Sequence, residues 1–288
     1  MNRFGIQVEL RNIPPLDREF FPMMRFNQAF LATARKPVAI AVERDRGQVA
    51  VCHTFIHGTD ERYEADCYYM DRLVKCLLWM KGGWKVYVSG DERVGAYLKE
   101  TYSLTGARAF DADFMAGVYE RPFEVVICDQ VPEERDVSQA IGRHIDGCRI
   151  GFDAGGSDRK VSAVVDGETV FSEEVVWHPK ITADPQYHYD GIVAAFKSAA
   201  EHMPRVDAVG VSSAGVFIND RTMVASLFLK VPKDAFDAKV KDIYIRAVKD
   251  TFGDIPYAVC NDGDVSALAG AMSLEDNNVL GIAMGTSE

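Results

Sequence analysis

Cysteine is sparse in this chain and scattered. Cys52, Cys67, Cys76, Cys128, Cys148 and Cys260 form no C-x-x-C pair. That spacing excludes a disulfide framework and a closed structural zinc site, leaving buried thiols in a reducing compartment as the expectation. No apolar run approaches the roughly 20 residues of a membrane-spanning helix. The opening, MNRFGIQVELRNIPPLDREF, has neither the apolar core nor the small-residue cleavage site of a signal peptide. The expected location is the cytoplasm. Positive charge is also short: 32 Lys and Arg against 43 Asp and Glu leave a net charge of −11. The densest basic stretch, residues 233–249, alternates Lys with Asp as a solvated helix face does. Such a chain repels phosphate backbones, so neither nucleic acid nor a membrane is expected as a partner.

What is present describes a folded α/β protein. The 288 residues, 48% apolar and 26% charged, suffice for about two domains. Residues 1–36 give no clean period and read as a loop with a short helix. Residues 37–43 (PVAIAVE) and 48–56 read as strands around a turn at 44–47. Met70, Leu73, Leu77 and Met80 fall at helical spacing before Gly82-Gly83. Strands are expected at 84–88 and 123–128, with a helix between them through Leu98. The polar stretch 129–146 reads as a linker. An accessory α/β domain is therefore expected over 1–146, either plain or a degenerate copy of the second. His53 and His57 read as packing residues rather than metal ligands, and His178 and His188 as residues of a surface loop.

From residue 147 the pattern is sharper. Strands at 149–153, 160–165 and 169–176 are joined at the last turn by Asp166-Gly167. A helix carrying Ile192, Phe196, Ala199 and Met203, a strand at 206–212 and a helix carrying Phe236, Val240, Ile243 and Ala247 follow. A strand at 255–260, a helix at 265–272 and a last strand at 278–284 complete the series. The order is three strands, helix, strand, helix, strand.

Four short segments could carry chemistry. In IGFDAGGSDRKVSAVVDGE (150–168), Asp153 ends a strand and Gly155-Gly156-Ser157 turns the chain. A carboxylate there can hold Mg²⁺ through water, glycines admit a polyanion to backbone amides, and Ser157 and Lys160 can donate to phosphate; a plain tight hairpin reads equally well. Ser213-Ala214-Gly215 ends the strand of VDAVGVSSAGVFINDR, where ligands settle in α/β sheets or a turn simply packs. Asn261 and Asp262 follow a strand and precede a helix. Asp262 can be a general base toward a hydroxyl with Asn261 orienting it, or the pair can cap the helix. Gly285-Thr286 ends VLGIAMGTSE as a second phosphate loop or a turn.

In this order the four segments resemble the ASKHA superfamily of sugar kinases, acetate kinases, Hsp70 and actin, and within it the ROK family of sugar kinases and regulators. The resemblance covers residues 147–288. It implies a ribonuclease-H-like lobe with a mixed sheet, ATP and Mg²⁺ as cofactors, a sugar substrate and an ATP-dependent carbohydrate kinase activity. Asp262 would be the catalytic base. Asp153, Gly155, Gly156, Ser157, Lys160, Gly285 and Thr286 would bind cofactor, with Asp153 toward the metal. Ser213, Ala214, Gly215 and Asn261 would hold the sugar. A homodimer is compatible with it. The sequence departs from the family in Ser157, where Thr is usual, in Ala214-Gly215, where Pro-Gly is usual, and in the serine after Thr286. Two alternatives stay open: a sugar or nucleotide sensor on the same fold, and an ATPase activator of the BadF type, whose bridging cysteines are not suggested here. Because such kinases bind ATP between two lobes, the natural chain is expected to continue past Glu288.

Overall fold

The computed structural model describes residues 1–137, 142 and 144–282. The chain divides into two compact units, Met1–Ser138 and Gln139–Glu288. The first contains β1 (Asn2–Arg3), β2 (Ile6–Gln7), α1 (Met23–Thr33), β3 (Lys36–Glu43), β4 (Val49–Ile56) and α2 (Tyr63–Lys81). It continues with β5 (Lys85–Ser89), α3 (Glu92–Thr101), α4 (Ala109–Tyr119) and β6 (Glu124–Ile127). Its sheet runs β4-β3-β5-β6. The β-rich 37–56 segment forms the expected hairpin, but β3 meets β5 antiparallel, and only β5 and β6 run parallel. This pairing differs from that of the second unit, where the first strand pairs parallel with the strand that follows the meander. Helix α2 buries Met70, Val74 and Leu78, while Met80 is exposed. The expected stripe through Leu73, Leu77 and Met80 is thus rotated, because the true seam steps every four residues and the helix packs on it. Residues 135 and 136 of the expected linker belong to this unit. Arg135 exchanges both main-chain bonds with Val49 (2.8 and 2.9 Å), and Asp136 pairs with Arg44 at 2.9 Å.

The second unit contains β7 (Cys148–Ala154), β8 (Asp158–Val165), β9 (Glu168–Val176), α5 (Pro185–Ala200), β10 (Ala208–Ser213), β11 (Val216–Ile218) and β12 (Arg221–Val224). It ends with α6 (Lys233–Ala235), α7 (Ile243–Phe252), β13 (Tyr257–Asn261) and α8 (Asp262–Leu274). A π turn at Phe236–Val240 interrupts the helix expected there. The five-stranded sheet runs β13-β10-β7-β8-β9. Strands β7, β8 and β9 form an antiparallel meander, and β10 and β13 add parallel to β7.

Alternation gives the sheet two different faces. Ile150, Phe152 and Ala154 of β7 and Val209 and Val211 of β10 pack with Ile192, Phe196, Tyr244 and Val248 of α5 and α7. The opposite face carries Gly151, Asp153, Gly210 and Ser212, and α8 lies over it. His188, expected in a loop, is buried inside α5 with its ring nitrogens 3.0 and 3.1 Å from the carbonyls of Asp184 and Pro179. Pro185 begins that helix three residues earlier, so the proline marks a helix start rather than a loop. The strand expected at 278–284 is absent over 278–282. Leu280 and Ile282 there are 86% and 70% exposed, and among the described residues no strand pairs with this stretch. Residues 283 and 284 lie outside the described residues.

Candidate functional site

Strands β7, β10 and β13 run parallel, so their carboxyl ends come out side by side. In register across the sheet stand Glu174, Lys160, Asp153, Ser212 and Cys260, one from each strand. One step back along the same face stand Ser172, Ser162, Gly151, Gly210 and Ala258. Side chains this small leave the sheet bare, and α8 does not fill the gap. None of the described residues of α8 is buried. A cavity of about 740 Å³ results between sheet and helix. Its floor is the small-residue row. Asp153, Lys160, Ser212, Cys260 and Asp262 stand at its polar end, and Val265, Leu268 and Ala269 of α8 form its apolar wall.

Asp153, Lys160 and Asp262, singled out from the sequence, therefore line one cavity. Asp153 accepts a hydrogen bond from the Ser212 hydroxyl at 2.8 Å, which fixes the carboxylate at the strand tip. Lys160 sits opposite Asp153 in the ladder, but its ammonium is engaged by Asp158, whose hydrogen bond raises the lysine above its ordinary value. The same bond holds Asp158 below the usual carboxylate range. Burial pushes the Cys260 thiol up, which keeps it protonated and a poor nucleophile.

The turn joining β7 and β8 is built by Gly155, Gly156 and Ser157. A Cβ on Gly155 would stand 2.6 Å from the Asp158 carbonyl, so glycine is required for closure. The Gly155 carbonyl accepts from Trp177 Nε1 at 2.8 Å. The Ser157 hydroxyl donates to Asp158 at 3.1 Å. None of these three lines the cavity itself.

Two expectations about substrate contacts need correction. The Ser213 side chain is fully buried, and its hydroxyl accepts from Tyr244 at 3.1 Å on the opposite sheet face. Ser212, its neighbour on the strand, supplies the hydroxyl that meets Asp153 in the cavity instead. Asn261 acts as the N-cap of α8: its Oδ1 accepts from Gly263 N at 2.8 Å, while its Nδ2 donates to the Gly215 carbonyl at 2.9 Å. Both ends of the amide are thereby engaged within the protein. Gly215 adopts φ +154° with the Val224 carbonyl only 2.4 Å from any added Cβ, so no larger residue fits there. Ala214 precedes it at the end of β10. Asp262 opens α8 with its carboxylate 3.0 Å from Gly263 N and its side of the cavity otherwise open. Gly285 and Thr286 lie outside the described residues. Among the described residues no group of three or more His, Cys, Asp or Glu side chains could hold a metal alone, and no helix is long and apolar enough to cross a membrane.

An antiparallel meander followed by two parallel strands, in spatial order 3-2-1-4-5, is the ribonuclease-H-like arrangement of actin-like ATPases. With its strand-tip cavity, the second unit has that α/β fold. Known structures similar to this chain include ROK-family proteins. A ROK hexokinase from Thermus thermophilus shares 17% identity over 43% of this chain and 38% of its own, with a TM-score of 0.34. A glucokinase from Parabacteroides distasonis shares 20% over 45% and 35%, with a TM-score of 0.35. A ROK family transcriptional regulator, a homolog of the E. coli MLC protein, shares 15% over 44% and 31%, with a TM-score of 0.31. The chain thus spans about two fifths or less of the length of these structures. No family model matches it, and no curated protein does.

Proposed function

We propose that the second unit is the nucleotide-binding lobe of an ATP-dependent sugar kinase of the ROK type. The observation that supports this reading best is the placement of Asp153, Ser212 and Asp262 around one cavity at the carboxyl ends of β7, β10 and β13. The donor set suits Mg²⁺, which keeps most of its waters and takes only one or two carboxylates beside the substrate phosphates. Asp153 would hold the hydrated ion. MgATP, when bound, supplies the transferable phosphoryl group.

The chain's own residues then position and move a proton. The amides of the Gly155–Ser157 turn and of Gly285 and Thr286 would cradle phosphate oxygens, work that is mostly positioning and electrostatics. Ser212 keeps the Asp153 carboxylate turned into the cavity. Asp262 would accept the proton of the attacking sugar hydroxyl at its carboxylate as the new P–O bond forms. Asn261 holds that aspartate in place by capping α8 and tying it to Gly215. A cytoplasmic location follows from the same reading, since ATP is plentiful there.

ADP release measured over a panel of sugars tests this directly. Sugar-dependent turnover is expected, and Asp262→Asn should reduce it by roughly two to four decades. Turnover indifferent to sugar, or an Asp262→Asn protein of undiminished rate, would overturn the assignment. Binding without turnover would instead fit a sensor.

A further inference from the structure

The first unit contains a second array of reactive groups that the proposed kinase chemistry does not use. The Asp66 carboxylate is almost wholly buried, with 1% of its side chain exposed. It accepts from the main-chain amides of His57 at 2.9 Å and Gly58 at 2.8 Å. It also lies 2.9 Å from His57 Nδ1. An ionised carboxylate can only accept, so Nδ1 carries the hydrogen and, in the neutral ring, Nε2 is left as an acceptor. Nε2 lies 2.9 Å from the Thr33 hydroxyl. The competing acceptor for that hydroxyl, the Phe30 carbonyl, is farther, at 3.2 Å. The Phe30 ring stands edge-on to the imidazole at 4.6 Å and fixes its plane.

From this geometry we infer that Thr33, His57 and Asp66 form a nucleophile, base and orienter able to take an acyl group from a carboxylic ester. The arrangement satisfies both hydrogen-bond conditions for an activated hydroxyl, nucleophile to base and base to orienter. Thr33 is exposed at the last residue of α1, where an ester can reach it. Arg35 folds its guanidinium back over the same turn, donating to the Ala32 carbonyl at 2.8 Å and to that of Ala34. In the reaction the Thr33 oxygen bonds to the ester carbonyl carbon and its proton passes to His57 Nε2. The ester C–O bond breaks, and the departing alcohol takes that proton. The acyl group remains as an ester on Thr33. Water attacking by the same route, its proton taken by Nε2 and returned to Thr33, releases the carboxylic acid. No oxidant or reductant is involved.

The full chain treated with p-nitrophenyl acetate tests this by mass spectrometry of its peptides. One acetyl group is expected on the peptide carrying Thr33. Thr33→Ser should retain it and Thr33→Val should lose it, both at an exposed position that leaves folding intact. His57→Gln, checked for an unchanged melting curve, should slow acetylation by about a hundredfold or more. An unmodified Thr33 in a wild-type chain that also releases no p-nitrophenol, or equal rates with and without His57, overturns the inference. So does equal labelling of Thr33→Val.

Discussion

Ser212 and Ser213 are neighbours in sequence and opposites in environment. One donates to Asp153 inside the cavity, and the other is sealed under α7 against Tyr244. Period-two alternation makes this unavoidable for adjacent strand residues. Their substitutions should therefore separate. Ser213→Ala removes a buried acceptor and should cost about 1 kcal/mol in a thermal melt while nucleotide affinity stays unchanged. Ser212→Ala should leave the melt nearly alone and weaken MgATP binding in a calorimetric titration. The reverse pattern would contradict the assignment of the two faces. The sequence shows that hydroxyls end this strand but not which one faces the ligand. That depends on the parallel register with β7, a contact between residues about sixty positions apart that no local pattern records.

At the scale of elements, caps and tips decide what is held. Asn261 starts α8 and ties it to Gly215. Asn261→Ala should lose about 1 kcal/mol of capping, and hydrogen exchange in the first turn of α8 should quicken. Asp91 plays the corresponding part for α3, accepting from Val94 N at 3.0 Å while pairing with Lys36 at 2.7 Å. Burial pushes its carboxyl up, but the lysine and the cap bond outweigh that and hold it below its ordinary value. Its contribution is therefore complete above the unfolded carboxylate value of about 3.9 and disappears as pH falls through the lower folded value. Acid titration of stability should fall away below about pH 4, and Asp91→Asn should flatten that slope. Element types were legible wherever periodicity was strong, as in the 149–176 meander and α5. They were not legible where apolar residues spread around a helix, as in α4 (AFDADFMAGVY), nor at 278–282, whose strand-like composition pairs with no strand among the described residues.

For the whole molecule, strand order was legible in one unit and not in the other. In the second, a meander followed by strands separated by helices leaves few arrangements, because parallel crossovers are right-handed and sequential elements pack together. In the first, nothing in the residues of β3 and β5 specifies that they meet antiparallel. The proposed function of the second unit requires the cavity at the ends of β7, β10 and β13 to take up nucleotide. Hydrogen exchange of the full chain with and without MgADP tests it most directly. Protection is predicted at residues 153–160, 212–215 and 260–264, and an Asp153→Asn chain should largely lose it. Protection that falls elsewhere, or that survives unchanged without the Asp153 carboxylate, would contradict the account.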